Sequence, residues 1–458
     1  MSRSATFAHA ARVRSSFALL TALYIGLRLA AFVGVAVVRY PDSQSYLDVA
    51  AKPFLSRAFF AGARPWTVPL LYKVLPDSDT YRTAGQLVVS VLCWLALAIA
   101  TARCIRDERL RFVAFALVLV FSLSASITRW DSLILTESLS VSLTAAVVAT
   151  WLTLLRLPRP SAVSIASVLV VTLLWTFARD TNAVLVVLVG LLVLVWVTRP
   201  GPRGGRIVLL SGLAVIAGAN VASTTTTDAS LRRIDRPILG AVGVRVLADH
   251  EMTRYFRHHG MPAPTPRVRA NAARLKAIGG GLPTDPETEV FLDWVRAHAR
   301  TTLGLYLVTY PRAATVPLFT ERATLVDESP GYLPSGARNT LPPVLRAFVF
   351  PGPSEAVFAV AAVVLLAGAA GARCSRARRA WAVPVLAMFV MIPYASLIWY
   401  GDAFDVARHA LLVKVVLRLS PLLLAVFLVD ARRDPASASI QAGSFKVGQC
   451  TMSPSGDA

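Results

Sequence analysis

Carboxylates are scarce in this chain, with 26 Asp and Glu against 47 Lys and Arg in 458 residues, and charged residues of every kind reach only 16%. So little charge excludes an ordinary soluble globular domain. Cysteine is nearly absent too. Cys93 sits in an apolar run, while Cys104, Cys374 and Cys450 fall on the side carrying most of the arginines. That distribution implies no disulfide framework, and no zinc-type spacing links the four. Of six histidines, His250, His258, His259 and His298 fall in one long polar stretch interleaved with Arg254 and Arg257, a pattern that fits a solvated basic helix better than any metal template. No internal repeat of the kind that builds inverted-repeat transporters is visible.

What the chain has instead is apolar length: 55% of residues are hydrophobic, gathered into runs. A hydrocarbon core of roughly 30 Å needs about twenty apolar residues per helix. Ten candidate spans meet or approach that length: 17–39, 83–101, 112–128, 138–155, 161–177, 182–198, 207–223, 356–372, 381–399 and 411–429. The expected fold class is therefore an all-α polytopic membrane protein. A cleavable signal peptide is not expected, because the first run is long and leads straight into a polar loop without a small-residue cleavage site.

The arginines orient it. One set of connections holds Arg3, Arg12 and Arg14; Arg103, Arg106, Arg109 and Arg111; Arg156 and Arg159; Arg199, Arg203 and Arg206; Arg373, Arg376, Arg378 and Arg379; and Arg432 and Arg433. The alternate short connections hold only Arg129, Arg179 and Arg408. The asymmetry predicts both termini in the cytoplasm and the loop after the first span outside. It also accounts for the net charge of +21 without nucleic acid, since the basic residues are split among six membrane-flanking clusters.

Four regions follow. Residues 1–223 form an N-terminal transmembrane module, 224–345 an extracytoplasmic loop or small subdomain, 346–430 the C-terminal spans, and 431–458 a disordered tail. The first outer segment, about 40–82, is expected to lie in the interface around stretches such as Tyr46–Phe60. The large loop opens on the polar run Thr224–Thr227 and contains a predicted helix at Glu287–Leu305.

The few carboxylates gather at the outer boundary. Asp42, in Pro41-Asp42-Ser43-Gln44-Ser45-Tyr46, could deprotonate a hydroxyl or hold a divalent cation such as Mg or Mn, or simply cap an interfacial helix. The next outer connection supplies Asp131 and Glu137, the latter at a helix start where the dipole favours it. Glu137 lies so near the apolar boundary that an unpaired charge there is costly. The last one, Gly401-Asp402…Asp405…Arg408-His409, offers either an internal ion pair between Asp405 and Arg408 or a phosphate contact through Arg408 and His409. Lys414 and Arg418 continue a polar stripe into the last span at about 2.5–3.5 kcal/mol each near the midplane. Arg28, in the first span, is a candidate partner for a buried carboxylate.

These motifs together resemble the GT-C superfamily of integral-membrane glycosyltransferases, which includes protein O-mannosyltransferases and lipid A aminoarabinose transferases. The likeness rests on Pro41-Asp42-Ser43…Tyr46, Arg64-Pro65-Trp66…Pro69-Leu70-Leu71, Leu135-Thr136-Glu137-Ser138-Leu139, Arg179-Asp180 and Gly401-Asp402…Arg408-His409. It covers about 17–200 and 398–420. The resemblance implies transfer of a sugar from a polyprenyl-phosphate carrier to an envelope acceptor. Asp42 would be the catalytic base or a metal neighbour, Glu137 the second catalytic carboxylate near the reaction centre and the other candidate metal neighbour, and Arg64 and Arg408 would hold the carrier phosphate. Tyr46, Trp66, Asp131 and His409 join the substrate contacts. Where many members pair two acids in the first loop, this chain has Asp42 followed by Ser43 and Gln44, with the next acid at Asp48. A flippase and a non-catalytic scaffold of the same fold are the rival readings.

The orientation is testable. A cysteine replacing Lys52 should react with a membrane-impermeant maleimide in intact cells, and one replacing Arg109 only after permeabilisation.

Overall fold

The computed structural model describes residues 3–157, 159–197, 203–231, 235–270, 286–327, 340–371, 378–401 and 405–432. Regular structure among them is helical, apart from one parallel bridge between Val38 and Leu133. The protein is an all-α polytopic membrane protein by the length and apolarity of these helices. Six are long enough to cross a bilayer: Ser15–Phe32, Asp79–Cys104, Glu137–Arg156, Gly204–Thr226, Ala380–Gly401 and Val406–Arg432. Two helix pairs, Glu108–Ser122 with Ala125–Ser132 and Pro343–Val349 with Ser354–Ala369, each bend by 55° and raise the number to eight if each counts once.

Six to eight is fewer than the ten expected. The difference lies in the predicted hairpin 161–177 and 182–198, which folds as the shorter apolar helices Ala162–Thr176 and Asp180–Trp196. Apolar composition alone does not fix how far a helix runs. The first helix also stops at Phe32, short of the expected residue 39, where Gly34 takes φ +79° and turns the chain out of the helix. The opposite departure occurs at Thr224–Thr227. The helix Arg203–Leu231 runs through that polar run, and Thr224 and Thr225 satisfy their hydroxyls on the carbonyls of Asn220 and Val221 at 2.9 Å.

Burial separates a centre from a rim. Glu137–Arg156 packs against Asp79–Cys104 and is the most enclosed helix, with 89% of its apolar window buried; for Ser15–Phe32 and Gly204–Thr226 the figures are 17% and 11%. Those rim helices turn Leu19, Leu23, Leu29, Val208 and Val215 outward, as lipid-facing spans do. Glu137 thus heads the central helix. A separate apolar cluster, including Val242, Met252, Phe256, Phe291, Val295 and Tyr306, fills part of the large loop, with Tyr400 packed against it. The expected helix at Glu287–Leu305 is there as Pro286–Trp294 and Arg300–Thr309 around a π-helical turn. Of the expected tail, 431–458, Ala431 and Arg432 continue the last helix, and the residues from 433 onward lie outside the described residues.

A buried ion pair ties the rim to the centre. Arg28 donates to Asp131 at 2.6 Å, to Ser90 Oγ at 2.6 Å and to the Ser122 carbonyl at 2.9 Å, while Ser138 Oγ donates to the other Asp131 oxygen at 2.6 Å. Both partners are fully buried. Removing one charge strands the other in an apolar interior, so Asp131→Ala should destabilise the protein by about 3–5 kcal/mol. Arg28→Met with Asp131→Leu should recover most of that loss. Thermal unfolding of the purified protein in lipid nanodiscs measures both.

Candidate active site

Four breaks between helices meet at one point, and local hydrogen bonds explain why. After Gly34 the chain runs extended and pairs with the connection that follows Ser132. Val38 N donates to the Ser132 carbonyl and Ile134 N to the Val38 carbonyl, each at 3.2 Å. Ser43 Oγ then donates to the Ile134 carbonyl at 2.7 Å while accepting from Tyr40 N at 2.8 Å. Gln86, on the neighbouring helix, donates to the Leu133 carbonyl at 2.8 Å. Non-helical backbone at this depth is tolerated because each exposed polar group finds a protein partner.

The third break, 177–180, is pinned from both sides. Thr136 Oγ1 donates to the Ala178 carbonyl at 2.5 Å, and Thr67 N to the Phe177 carbonyl at 3.2 Å. Ser140 Oγ reaches Asn182 Oδ1 at 3.0 Å. The short helix Val406–His409 supplies the fourth.

Charged side chains fill the junction. Asp42 stands at the head of the Ser43–Ala51 helix, yet its carboxylate makes no capping bond. One oxygen accepts from Arg64 at 2.7 Å and the other from Arg408 at 2.8 Å. The Arg408 Nε lies 2.8 Å from Asp405 and 3.3 Å from Glu137, and Arg179 approaches the same Glu137 oxygen at 3.3 Å. Glu137 is 1% exposed and Asp42 35%. Three carboxylates therefore face three guanidiniums, and the buried one is held at longer range than the open one. Neither Glu137 oxygen accepts a hydrogen bond of good geometry.

Of the expected site residues, Asp42, Glu137, Tyr46, Arg64, Arg408 and His409 gather here. The Arg64 guanidinium lies 4.9 Å from the Tyr46 ring centroid and its Nε donates to Ser45 Oγ at 2.6 Å. His409 Nε2 sits 3.3 Å from Arg408. Trp66 belongs to an aromatic group beside the cluster, 5.2 Å from Phe177 and 5.7 Å from Phe60. Asp131 is the exception. Its two oxygens are taken by Arg28 and Ser138 in the core, so the structure does not bring it to this cluster. Asp402 lies outside the described residues. Arg179 and Asp405 join the cluster without having been singled out as substrate contacts.

A divalent cation fits this arrangement poorly. Arg408 stands between Asp42 and Glu137, and each carboxylate already faces two guanidiniums. A metal held by the pair would meet those cations at close range. Among the described residues no group of three or more His, Cys, Asp or Glu is arranged so that it could hold a metal ion.

Burial pushes the Asp42 carboxyl up, but Arg64 and Arg408 outweigh it and hold its pKa below the usual carboxylate range. A carboxyl with a lowered folded-state pKa contributes stability that is present above its unfolded pKa and lost as pH falls through the folded value. Unfolding followed from neutral pH downward should therefore show an acid-side loss, below about pH 4, that is smaller in Asp42→Asn than in the parent.

No protein-family model matches the chain, and neither does any curated protein. Two solved structures are similar to it in outline. One is the archaeal oligosaccharyltransferase AglB from Archaeoglobus fulgidus in complex with an inhibitory peptide and a dolichol-phosphate, at 13% identity and TM-score 0.43, over 96% of this chain and 52% of that one. The other is the Archaeoglobus fulgidus oligosaccharyltransferase in the apo form, at 12% identity and TM-score 0.43, over 89% and 50%. The chain spans about half the length of each. A likeness of that degree decides neither fold nor activity.

Proposed function

We propose that the protein is a membrane glycosyltransferase of the GT-C type that moves a sugar from a polyprenyl-phosphate carrier to an envelope acceptor on the outer face. The observation that carries this is the convergence of Asp42, Glu137, Arg64, Arg179 and Arg408 from separate breaks in a membrane-spanning bundle. Ion pairs of this kind stabilise a fold no better than well-packed apolar residues of similar volume. Their concentration at the head of the most enclosed helix is what a site for charge-separating chemistry requires.

The reaction joins an acceptor hydroxyl oxygen to the anomeric carbon of the donor. The bond between that carbon and the carrier phosphate breaks, and the phosphate leaves with the electron pair. Asp42, the more accessible acid, takes the hydroxyl proton. With its pKa held down it is a weak base until one arginine lets go. The incoming phosphate competes for Arg64 or Arg408, and the partner that turns to it leaves Asp42 more basic. Glu137 stays ionised between Arg179 and Arg408 and keeps the second guanidinium aimed. Tyr46, Trp66 and His409 supply aromatic and hydrogen-bonding surface for the sugar, and the apolar gaps between spans take the polyprenyl chain. On this reading no metal step is needed, because guanidinium groups meet the leaving phosphate.

A flippase predicts ionisable residues and helix breaks near the midplane of several spans. Here the carboxylates cluster where helices end. The scaffold reading has one observation in its favour, since Glu137 is enclosed and each acid of the cluster has an arginine against it.

Asp42→Asn should abolish sugar transfer from labelled polyprenyl-phosphate sugars in membranes while expression and carrier binding persist. Arg179→Lys should weaken transfer less, by about tenfold to a hundredfold, because a point charge can still face Glu137. Full transfer by Asp42→Asn would remove Asp42 as the base.

A further inference from the structure

In the acid–arginine cluster the described carboxylates Asp42, Glu137 and Asp405 face Arg64, Arg179 and Arg408. A second site is richer in cations. A cavity of about 250 Å³ is lined by Arg129, Arg346, Lys414 and Arg418, with Asp327 as its one carboxylate among the described residues. Four cations against one acid, around a void inside a membrane protein, is an arrangement that apolar packing would make unnecessary.

The architecture around it is equally particular. Both bent helix pairs turn here, the first at Ser124 and Ala125, the second at Phe350 and Gly352. The second bend releases carbonyls that hold Arg418: its Nε donates to Pro351 at 2.8 Å, and one Nη to Gly352 at 3.0 Å. The guanidinium also stacks 4.5 Å from the Phe350 ring centroid. Lys414 donates to the Ala407 carbonyl at 3.1 Å, and Arg129 to the Ala125 carbonyl at 2.7 Å. Arg418 and Lys414 are buried, whereas Arg346 stands exposed at the rim. Carbonyls and a ring orient Arg418 and Arg129, and among the described lining residues Asp327 is the carboxylate that faces Arg418. Charge in a low-dielectric setting then favours an anion in the void.

We propose that this cavity is a phosphate-binding site, separate from the acid–arginine cluster, that accepts a phosphate monoester. The shape suits a tetrahedral oxyanion, because basic groups from the 124–130 bend, the 343–352 bend and the last span face one void. Two sources offer such an oxyanion: the monoester headgroup of a lipid whose tails lie between the spans, and free inorganic phosphate, which carries the same terminal oxygens without an ester. The site stands whether or not the chain transfers a sugar, since it shares no charged residue with that cluster.

The test is binding to the full chain in phosphatidylcholine nanodiscs. Inorganic phosphate and short-chain phosphatidic acid are titrated separately, with retained ligand counted by native mass spectrometry. Saturable binding of phosphatidic acid, weakened about tenfold or more in Arg346→Gln and Lys414→Gln but unchanged in Arg57→Gln, supports the site and assigns it to a lipid. The same pattern with inorganic phosphate alone supports the site and assigns it to free phosphate. Arg346 is exposed, so its variant tests the site even if buried substitutions fail to fold. Binding that is absent for both ligands, or equal in parent and Arg346→Gln, overturns the proposal. Sugar transfer assayed in parallel separates the two readings, because loss of phosphate binding with transfer intact leaves the enzyme standing.

Discussion

One guanidinium holds one end of the helical bundle together. Arg408 meets Asp42 at 2.8 Å, Asp405 at 2.8 Å and Glu137 at 3.3 Å, and so joins the loop after the first helix, the connection before the last span and the head of the central helix. Desolvating these charges opposes folding, and mutual attraction offsets the loss only with good geometry. Asp42 has that geometry; Glu137 does not, since its oxygens lie in contact range of two arginines without accepting a well-formed hydrogen bond. The more loosely held half of the cluster is thus the buried half.

The backbone explains why the charges can gather. Each neighbouring break replaces its missing helical hydrogen bonds with specific ones: the Val38–Leu133 bridge, Ser43 to Ile134, Thr136 to Ala178, Thr67 to Phe177. These contacts hold the loops in place against one another, so side chains distant in sequence meet at a common focus. Arg28 and Asp131 perform the same service inside the membrane, anchoring the first helix to the central one. Similar-looking acids thus have different tasks, Asp42 at the open mouth and Asp131 in the core.

Much of this was legible in the sequence. Apolar run length gave the all-α membrane class, and the carboxylates at the ends of runs pointed to Asp42, Glu137 and Arg408. Arg28 was recognisable as a partner for a buried acid, because an arginine inside a span needs one. Which acid it meets was not legible: Asp131 and Glu137 lie six residues apart on the same connection, and only the bridge to Val38 sends one inward and the other to the cluster. The span count failed for another reason: hydropathy marks 161–177 and 182–198 as apolar but does not register that the helices there, Ala162–Thr176 and Asp180–Trp196, are shorter than a full span. Arg179 carried a signal that went unused. With Arg129 and Arg408 it broke the arginine asymmetry of the connections, and all three line either the cluster or the basic cavity.

The central claim is that Asp42 and Arg408 act as one unit across 366 residues of chain. A double-mutant cycle tests it most directly, with Asp42→Asn, Arg408→Gln and the pair compared by unfolding in nanodiscs at neutral pH. The account predicts a coupling energy of about 0.5–3 kcal/mol, the double variant losing less than the two single losses together. Additive losses would contradict it, and would leave the first loop and the last connection as neighbours with no shared function.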